Sequence, residues 1–430
     1  MLNLASLFST PSPSRSAPFA PFAPSGPLKL VLASTLVLFL SACGGGYVAG
    51  FAGTCYPYGC GGYPYGGPYY GYGYGPMSTA AGTGAPGSSG NGAKAVKAEL
   101  TQPVAVAVDA SGNLYIADRA SNTVREVAAS TGVISNALSG SAPGIAGRSV
   151  SASGSAAAGP GLSHPSAVAL DPTGNIYVLD QASSTVSRFS PSTGSLTIVA
   201  GSPAGLSGYS GDNGKATGAQ LNLPSGMAFD SLGNLYIADT ANNRIREVAA
   251  STGVITRVAG NGTAGYSGDA GPAAAAQVSR PAAVATDSKG NVFIADTGNA
   301  VIRKLDVTTG NISTVAGDGI LGFAGDNAAA TSAQLNEPKG IAVDPHGDLF
   351  VADSGNQRIR EVNARTGVIS TIAGDQTQGY AGDGGPSSRA ELNNPSATAI
   401  DASGNLYIAD AGNGVVRKVL PDPQTVAKAN

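Results

Sequence analysis

Apolar and polar positions recur along residues 101–420 with a period of about 57 residues. Each copy contains Pro, a short apolar stretch, Asp-x-x-Gly-Asn or Asp-x-x-Gly-Asp, an apolar stretch with Tyr or Phe at its second position, and a final Asp. Successive final aspartates are 62, 59, 57, 57 and 57 residues apart, and they are Asp118, Asp180, Asp239, Asp296, Asp353 and Asp410. Self-similarity at this spacing indicates a repeat architecture.

Within a unit the pattern predicts four short strands. The first, 284–286 for example, is small and apolar, as expected close to a crowded axis. A tight Gly-containing hairpin, 230–234, leads into a buried second strand. The third strand, 244–248, alternates between apolar and polar residues, and a Thr-Gly turn leads to a fourth, 255–259. Six such units without helices predict an all-β fold, a six-bladed β-propeller of four-stranded antiparallel blades.

The last unit lacks its own fourth strand. After its third strand, which ends near Val419, the chain continues as LPDPQTVAKAN without the Thr-Gly turn. Residues 78–82 and the segment after them match 313–317 and its continuation without a gap. We therefore predict that an N-terminal strand closes the last blade and removes its exposed edge. A fourth strand formed by QTVAKA is the alternative.

The N-terminal region has the pattern of an export signal. Eleven apolar or small residues, 30–40, follow Lys29, too few to span a bilayer as a helix. They end in LSACG, which resembles the lipobox of bacterial lipoproteins. The resemblance implies a signal peptide over 1–42, acylation of Cys43, and a lipid-anchored protein of the bacterial cell envelope, facing the periplasm or the exterior. An ordinary secretory signal is the alternative.

Two further segments lie outside the repeats. Residues 43–77 are rich in Gly and Tyr and have no aliphatic periodicity, which predicts a flexible tether. Its Cys55 and Cys60 either form a disulfide or remain free thiols. The propeller is then expected over 78–420 and a C-terminal tail over 421–430.

Charge argues against one class of partner. The chain has 24 Lys and Arg and 27 Asp and Glu, and two of the basic residues, Arg15 and Lys29, lie within 1–42. The remainder therefore has a net charge of −5. A mildly acidic module lacks the basic surface that phosphates require, so no nucleic-acid partner is expected.

The repeat L-x-x-P-x-x-[IV]-A-[VF]-D-x-x-G-[ND]-[LIV]-[YF]-[IV]-A-D-[TSA]-x-N-x-x-I-R closely resembles NHL repeats. The loop sequences GYSGD (265–269) and GYAGD (379–383) resemble the extended bacterial form. The resemblance covers about residues 78–420 and implies a propeller. Such propellers bind proteins, peptides, RNA or glycans, and some are metal-dependent lyases, so the fold alone does not choose a function.

Catalytic residues are sparse. The two histidines, His164 and His346, occupy different positions of different repeats, and residues 78–420 contain no Cys. Zinc chemistry and a Ser-His-Asp site are therefore not expected. No cofactor is predicted.

The six final aspartates are the first recurrent candidate site. Ending equivalent strands, they should lie at one level of the ring, where carboxylates can hold a cation such as Ca²⁺. The structural interpretation is that each caps the loop that follows it. Five repeats also place an Arg seven residues later, which favours a scaffold pair; these are Arg125, Arg246, Arg303, Arg360 and Arg417, and Ser187 replaces the Arg in the second repeat.

Aromatic residues in the inter-blade loops are the second candidate. They are Tyr209, Tyr266, Phe323 and Tyr380, and they should share a face with the aspartate-ended turns. They either fill gaps between blades or present a binding surface for a partner. We predict a non-enzymatic binding or scaffolding module for a protein, peptide or glycan. The alternative is a cation-dependent lyase or lactonase that uses carboxylates at the channel mouth.

Overall fold

Six antiparallel sheets follow one another along the chain, one for each repeat unit. The computed structural model describes residues 74–139, 161–190 and 195–421, with the backbone of two short strands, Ser149–Val150 and Ala156–Ala157. The six sheets confirm the six-bladed β-propeller. No helix in these described ranges has the length and apolar character needed to cross a membrane.

The blades are numbered in the order of their first strands, and strands are given from the axis outward. Blade 1 contains Pro103–Val108, Leu114–Asp118, Thr123–Val127 and Ile134–Ser139, and blade 2 contains Pro165–Leu170, Ile176–Asp180, Thr185–Ser190 and Ser195–Ala200. Blade 3 contains Gly226–Phe229, Leu235–Asp239, Arg244–Val248 and Val254–Ala259, and blade 4 contains Ala283–Thr286, Val292–Asp296, Val301–Leu305 and Ile312–Ala316. Blade 5 contains Pro338–Val343, Leu349–Asp353, Arg358–Val362 and Val368–Ala373, and blade 6 contains Pro395–Ile400, Leu406–Asp410, Val415–Pro421 and Tyr74–Ala81.

The N-terminal strand Tyr74–Ala81 closes blade 6, as predicted. It pairs antiparallel with Val415–Pro421, with Ser78 opposite Lys418 and Thr79 opposite Arg417. The alternative strand QTVAKA lies beyond the described residues, and its place beside the third strand is taken. The closing strand begins four residues before the predicted start of the propeller, because Met77 is fully buried and belongs to the core. The third strand likewise extends to Pro421, which had been assigned to the tail.

Two blades have more strands than predicted. Gly214–Lys215 and Ala328–Ala329 in the inter-blade loops pair with the outer strands of blades 3 and 5 as short fifth strands. These additions cover part of an otherwise open sheet edge. Short 3₁₀ helices also occur in the loops and after the second strands; they are Ala95–Lys97, Ala216–Gly218, Ala273–Ala275, Ala330–Ser332, Ser387–Arg389, Thr240–Asn242, Thr297–Asn299, Ser354–Asn356 and Ala411–Asn413.

The core is distributed around the ring as clusters that adjacent blades share. One cluster contains Ile237 and joins blades 2 and 3. Another joins Tyr236 of blade 3 to Leu305 of blade 4. Second strands such as Leu235–Asp239 are buried throughout because neighbouring blades cover both of their faces. Each blade therefore depends on its neighbours for burial, as in other repeat proteins.

Most residues that line the axis are small, as the first-strand pattern predicts, although Met227, Lys339 and Ile341 also line it. The six first strands surround a cavity of about 110 Å³. A Cβ on Gly226 would lie 2.6 Å from the carbonyl oxygen of Ala282 in the next blade. Small side chains are needed here because the strands converge.

Candidate functional site

The inter-blade loops and the turns after the second strands share one face of the propeller. In the turn of blade 3, Asn242 Nδ2 donates to the carbonyl oxygen of Gly208, the residue before Tyr209, at 2.8 Å. The same contact recurs at Asn299 and Gly265 (2.7 Å). The loop aromatics therefore lie beside the aspartate-ended turns, as predicted. We call this side the loop face, and the opposite side, with the Asp-x-x-Gly-Asn/Asp turns, the hairpin face.

The six recurrent aspartates are buried below the loop face, each at most 4 % exposed. Asp296 Oδ1 accepts from the backbone N–H of Ser279 (2.7 Å), and its Oδ2 accepts from Asn299 Nδ2 (2.8 Å). These bonds tie the start of the first strand to the end of the second. Equivalent backbone bonds occur at Asp118, Asp180, Asp239, Asp353 and Asp410.

The predicted capping of the following loop is wrong for four blades. The turns that begin after Asp239, Asp296, Asp353 and Asp410 have no side-chain cap hydrogen bond. In blade 2, by contrast, Asp180 accepts from the N–H of the turn residue Ser183 (3.1 Å). The carboxylates elsewhere reach back to the segment before the first strand, a long-range contact that local spacing does not reveal.

Among the residues that the structure describes, no group of three or more His, Cys, Asp or Glu side chains is placed to hold a metal ion. Each aspartate of the ring is instead surrounded by donors from its own blade. Burial raises the pKa of Asp296, Asp353 and Asp410 to about 6, against the lowering effect of these hydrogen bonds and of the nearby Arg.

A buried Arg in the third strand links each of four aspartates to an acid in the preceding loop. Arg303 is fully buried, with Nη1 at 3.6 Å from Asp296 Oδ2 and Nη2 at 2.5 Å from Asp269 Oδ1. The same triads form around Arg246, Arg360 and Arg417. The predicted Asp–Arg pair is therefore found in four of the five repeats, and the ion pairs of the described residues do not include one between Asp118 and Arg125. The loop acids that complete the triads were not predicted; they are Asp212, Asp269, Asp326 and Asp383.

The sequence does contain a signal that could have revealed these acids, since Gly-Asp recurs after each loop aromatic. The loop acid also holds the outer strand of the next blade, since Asp269 Oδ2 accepts from the N–H of Thr314 (3.1 Å). In blade 1 the amide oxygen of Asn91 replaces the acid and accepts from Arg125 at 3.0 Å. The loops that lead into blade 1 and into blades 3–6 thus fasten onto those blades.

Each loop aromatic lies over a buried Arg while remaining partly exposed. The rings of Tyr266 and Tyr380 lie 5.1 and 5.0 Å from the guanidinium carbons of Arg303 and Arg417. The ring of Phe323 also lies 3.7 Å from the guanidinium carbon of Arg358, and the ring of Tyr209 lies 3.6 Å from that of Arg244. The four rings are 39–45 % exposed, so they cover the ion pairs and still present a surface.

Exposed aliphatic residues extend this surface. Leu206 (56 %) precedes Tyr209 in its loop, and Ile320 (59 %) and Leu321 (65 %) precede Phe323. Together these side chains form what we call the apolar belt: Leu206, Tyr209, Tyr266, Ile320, Leu321, Phe323 and Tyr380. Among the described residues, the aromatic members of the belt lie in the loops that lead into blades 3–6, and Ser88 stands at the aromatic position of the loop before blade 1.

The remaining candidates do not come together. The carbonyl oxygen of His164 accepts from Gln181 at the loop face, whereas the backbone N–H of His346 donates to Asp344 in a hairpin of the opposite face. The two histidines therefore do not share a site. Cys43, Cys55 and Cys60 lie outside the described residues, as does the predicted signal peptide.

Blade 5 has an unusual group of carboxylates at its hairpin. Asp348 stands where Asn234 of blade 3 donates to the hairpin aspartate Asp230 at 2.8 Å. Glu361 is only 4 % exposed, and its Oε1 has no hydrogen-bond partner. Burial, and then the charges of Asp348 and Asp344, raise the pKa of Glu361 to about 8.

The raised pKa of Glu361 predicts that the free energy of unfolding falls as pH rises from about 4.5 to 8. The folded protein retains a proton on Glu361 that the unfolded chain releases, so the free energy of unfolding decreases as pH rises. Glu361→Gln cannot ionise, and we expect it to raise the free energy of unfolding at pH 7 by about 2–3 kcal/mol and to leave it unchanged near pH 4. Urea unfolding at both pH values measures this. The exposed Glu337→Gln is the control, and an equal gain at both pH values would contradict the prediction.

Six such sheets around one axis define the class of protein, a six-bladed β-propeller. A family model described as the Teneurin NHL domain matches residues 81–205, 136–249 and 321–379, together more than half of the chain. The chain belongs to the family of NHL-repeat propellers, as its repeat predicted.

Similar proteins include SUPPRESSOR OF QUENCHING 1 of Arabidopsis thaliana, 28 % identical over 57 % of this chain and 24 % of that protein. Teneurin-1 of Mus musculus is 30 % identical over 49 % of this chain and 8 % of that protein. The chain thus spans at most about a quarter of these relatives. An auxiliary nutrient binding protein of Bacteroides ovatus has a similar fold, with a TM-score of 0.58 at 16 % identity over 82 % of this chain and 78 % of that one.

Proposed function

We propose that this chain is an envelope-anchored, non-enzymatic binding module whose loop face docks an apolar segment of a protein or peptide. The observation that carries the proposal is the apolar belt, in which partly exposed aromatic and aliphatic side chains share one face. Exposed apolar groups gathered on one surface are typical of interaction sites, and Tyr and Phe are enriched in interfaces.

The aromatic rings of the belt are held in place before any partner arrives. The hydroxyl of Tyr266 is 2.8 Å from Thr314 Oγ1, and that of Tyr380 is 2.7 Å from Thr79 Oγ1. Together with the stacking on Arg, these contacts limit the conformational entropy that binding must remove. Rigid anchors favour specific recognition over loose adhesion.

The sequence supports the location of this module. A lipobox-like LSACG after a short apolar stretch favours an acylated Cys43, and the Gly- and Tyr-rich segment up to residue 73 has the composition of a spacer. A tether of this kind would hold the propeller near the membrane.

Vesicle flotation followed by affinity capture tests both parts. Purified from bacterial membranes, the full chain should float with lipid vesicles, whereas Cys43→Ser should not. Vesicle-bound protein should retain a partner from envelope extract, and Ile320→Ser with Leu321→Ser should weaken its binding at least about tenfold. Leu420→Ser, exposed outside the belt, is the matched control. Equal capture by the Ile320→Ser, Leu321→Ser double variant and by Leu420→Ser would contradict the docking of an apolar segment. Capture of glycan alone would contradict it too.

A further inference from the structure

A cleft on the hairpin face lies between blades 3 and 4, away from the apolar belt. Its volume is about 430 Å³, within the range of small-molecule sites. Leu305 and Val307 of blade 4 form an apolar wall, and Asp230, Tyr236 and Glu247 of blade 3 form a polar one. The cleft therefore suits a ligand with an apolar body and one polar end.

The polar wall carries negative charge that no ion pair of the described residues neutralises, although the exposed Lys289 also lines the cleft. Asp230 Oδ2 accepts hydrogen bonds from Asn234 Nδ2 of its own hairpin at 2.8 Å and from the hydroxyl of Tyr236 at 3.4 Å. Glu247 is partly buried, and none of the ion pairs found among the described residues involves it or Asp230. Burial, and then the charge of Asp230, raise the pKa of Glu247. A cation in the cleft would stabilise the ionised carboxylate of Glu247 and so oppose the effects of burial and of the charge of Asp230.

Other blades show what fits at this position. In blade 6 the residue opposite Tyr407 is Lys418, whose ammonium lies 5.2 Å from the ring centroid. In blade 4 Lys304 lies 5.7 Å from the ring of Phe293 in the same way. Blade 3 retains the aromatic ring, but Glu247 is the residue opposite it. The fold places an ammonium over the ring in two blades, whereas in blade 3 the carboxylate of Glu247 takes that position and the ring of Tyr236 is only 4 % exposed.

The residues that pack against the equivalent ring differ between blades. Tyr236 packs in a cluster with Leu305, whereas the equivalent Tyr115 of blade 1 packs with the larger Phe189. In blade 5 the equivalent ring, Phe350, is covered by Tyr74 at 6.0 Å between ring centroids. Lys289 is exposed and contributes to the lining of the cleft.

We propose that the cleft binds a primary ammonium group on an aliphatic stem, with the ammonium at the carboxylate of Glu247 and the stem along Leu305 and Val307. An ion pair with a partly buried carboxylate holds the charged end. Apolar contact holds the stem. The same chemistry occurs in free alkyl amines and in lysine side chains of peptides.

Titration calorimetry of the full chain with 1-hexylammonium tests the proposal. Wild-type protein should bind it saturably, and the isosteric 1-hexanol should bind at least about tenfold more weakly because it lacks the charge. Glu247→Gln should lower the affinity for hexylammonium about tenfold. Glu126→Gln changes the equivalent residue of blade 1 and should have no effect. Affinity should also fall as pH is lowered, because Glu247 is then protonated.

Nα-acetyl-lysine amide distinguishes the two sources of the ligand. Binding as tight as that of hexylammonium would assign the cleft to lysine side chains, and weaker binding would assign it to free amines. The proposal is overturned if hexanol binds as tightly, if Glu126→Gln acts like Glu247→Gln, or if wild-type protein shows no saturable binding. Because the belt lies on the opposite face, such a failure would leave the docking function untouched.

Discussion

Replacing Arg303 with Met is expected to lower the free energy of unfolding by about 3–5 kcal/mol. The guanidinium is fully buried between Asp296, itself fully buried, and Asp269 of the preceding loop. Removing it leaves a buried carboxylate without its cation and unfastens the loop from blade 4. Its Nη groups also donate to the carbonyl oxygens of Gln277 and Ser267, which would lose these donors. Equilibrium urea unfolding measures the change.

Two further variants separate the ion pair from simple packing. Lys304→Met, on the next residue of the same strand, should change the free energy of unfolding by less than about 1 kcal/mol, because its charge is partly exposed. Adding Asp296→Asn to Arg303→Met should recover a large part of the loss, since the amide oxygen still accepts from Ser279 without a buried charge. A loss below about 1 kcal/mol for Arg303→Met alone would show that the triad is dispensable.

Met77→Ala is expected to lower the free energy of unfolding by about 2–5 kcal/mol. Met77 lies in the closing strand and is fully buried in a cluster with Phe350 of blade 5 and Val419 of blade 6. Its backbone also bonds outward, accepting from the N–H of Gly384 at 2.7 Å. Truncation removes a side chain that joins the two ends of the chain to blade 5.

The result of Met77→Ala also tests closure of the ring. Leu420→Ala, on the strand that pairs with the closing strand, is 40 % exposed and should cost less than about 1 kcal/mol. Thermal unfolding of both variants beside the parent gives the comparison. If Met77→Ala melts with the parent, the segment around Met77 makes no contribution and blade 6 is closed by another part of the chain.

Local pattern was sufficient to predict the individual strands. The third strand of blade 3 was expected over 244–248 and is Arg244–Val248, and the fourth was expected over 255–259 and begins one residue earlier. Such agreement follows because alternation of apolar and polar residues within a strand is a local property with a period of two. Repetition in six units made each strand easier to recognise.

Boundaries were less predictable where composition was misleading. Residues 74–77 lie at the end of a Gly- and Tyr-rich stretch, and their assignment to the tether ignored Met77 as a candidate core residue. Pairing with a strand more than 300 residues away decides whether such a short segment is folded. Neither propensity nor local periodicity contains that information.

Contacts between blades account for most of the unpredicted site residues. Asp269 lies 34 residues before Arg303, and the recurrence of Gly-Asp showed only that the acid mattered in several units. The carboxylates of the final aspartates were expected at the right level of the ring, but their partners proved to be backbone groups 17 residues earlier. Such partners become visible only when the strands are placed side by side.

By itself the amino-acid sequence therefore determines the number of blades, the strands within each, and the closure of the ring by an N-terminal strand, because repetition and alternation express these directly. It does not determine which side chains meet across a blade boundary. The loop acids on Arg, the exposure of the apolar belt, and the cleft beside Glu247 follow from the packing of neighbouring blades. That packing depends on the sizes of residues far apart in the chain, such as Leu305 and Phe189, and only the assembled ring brings them together.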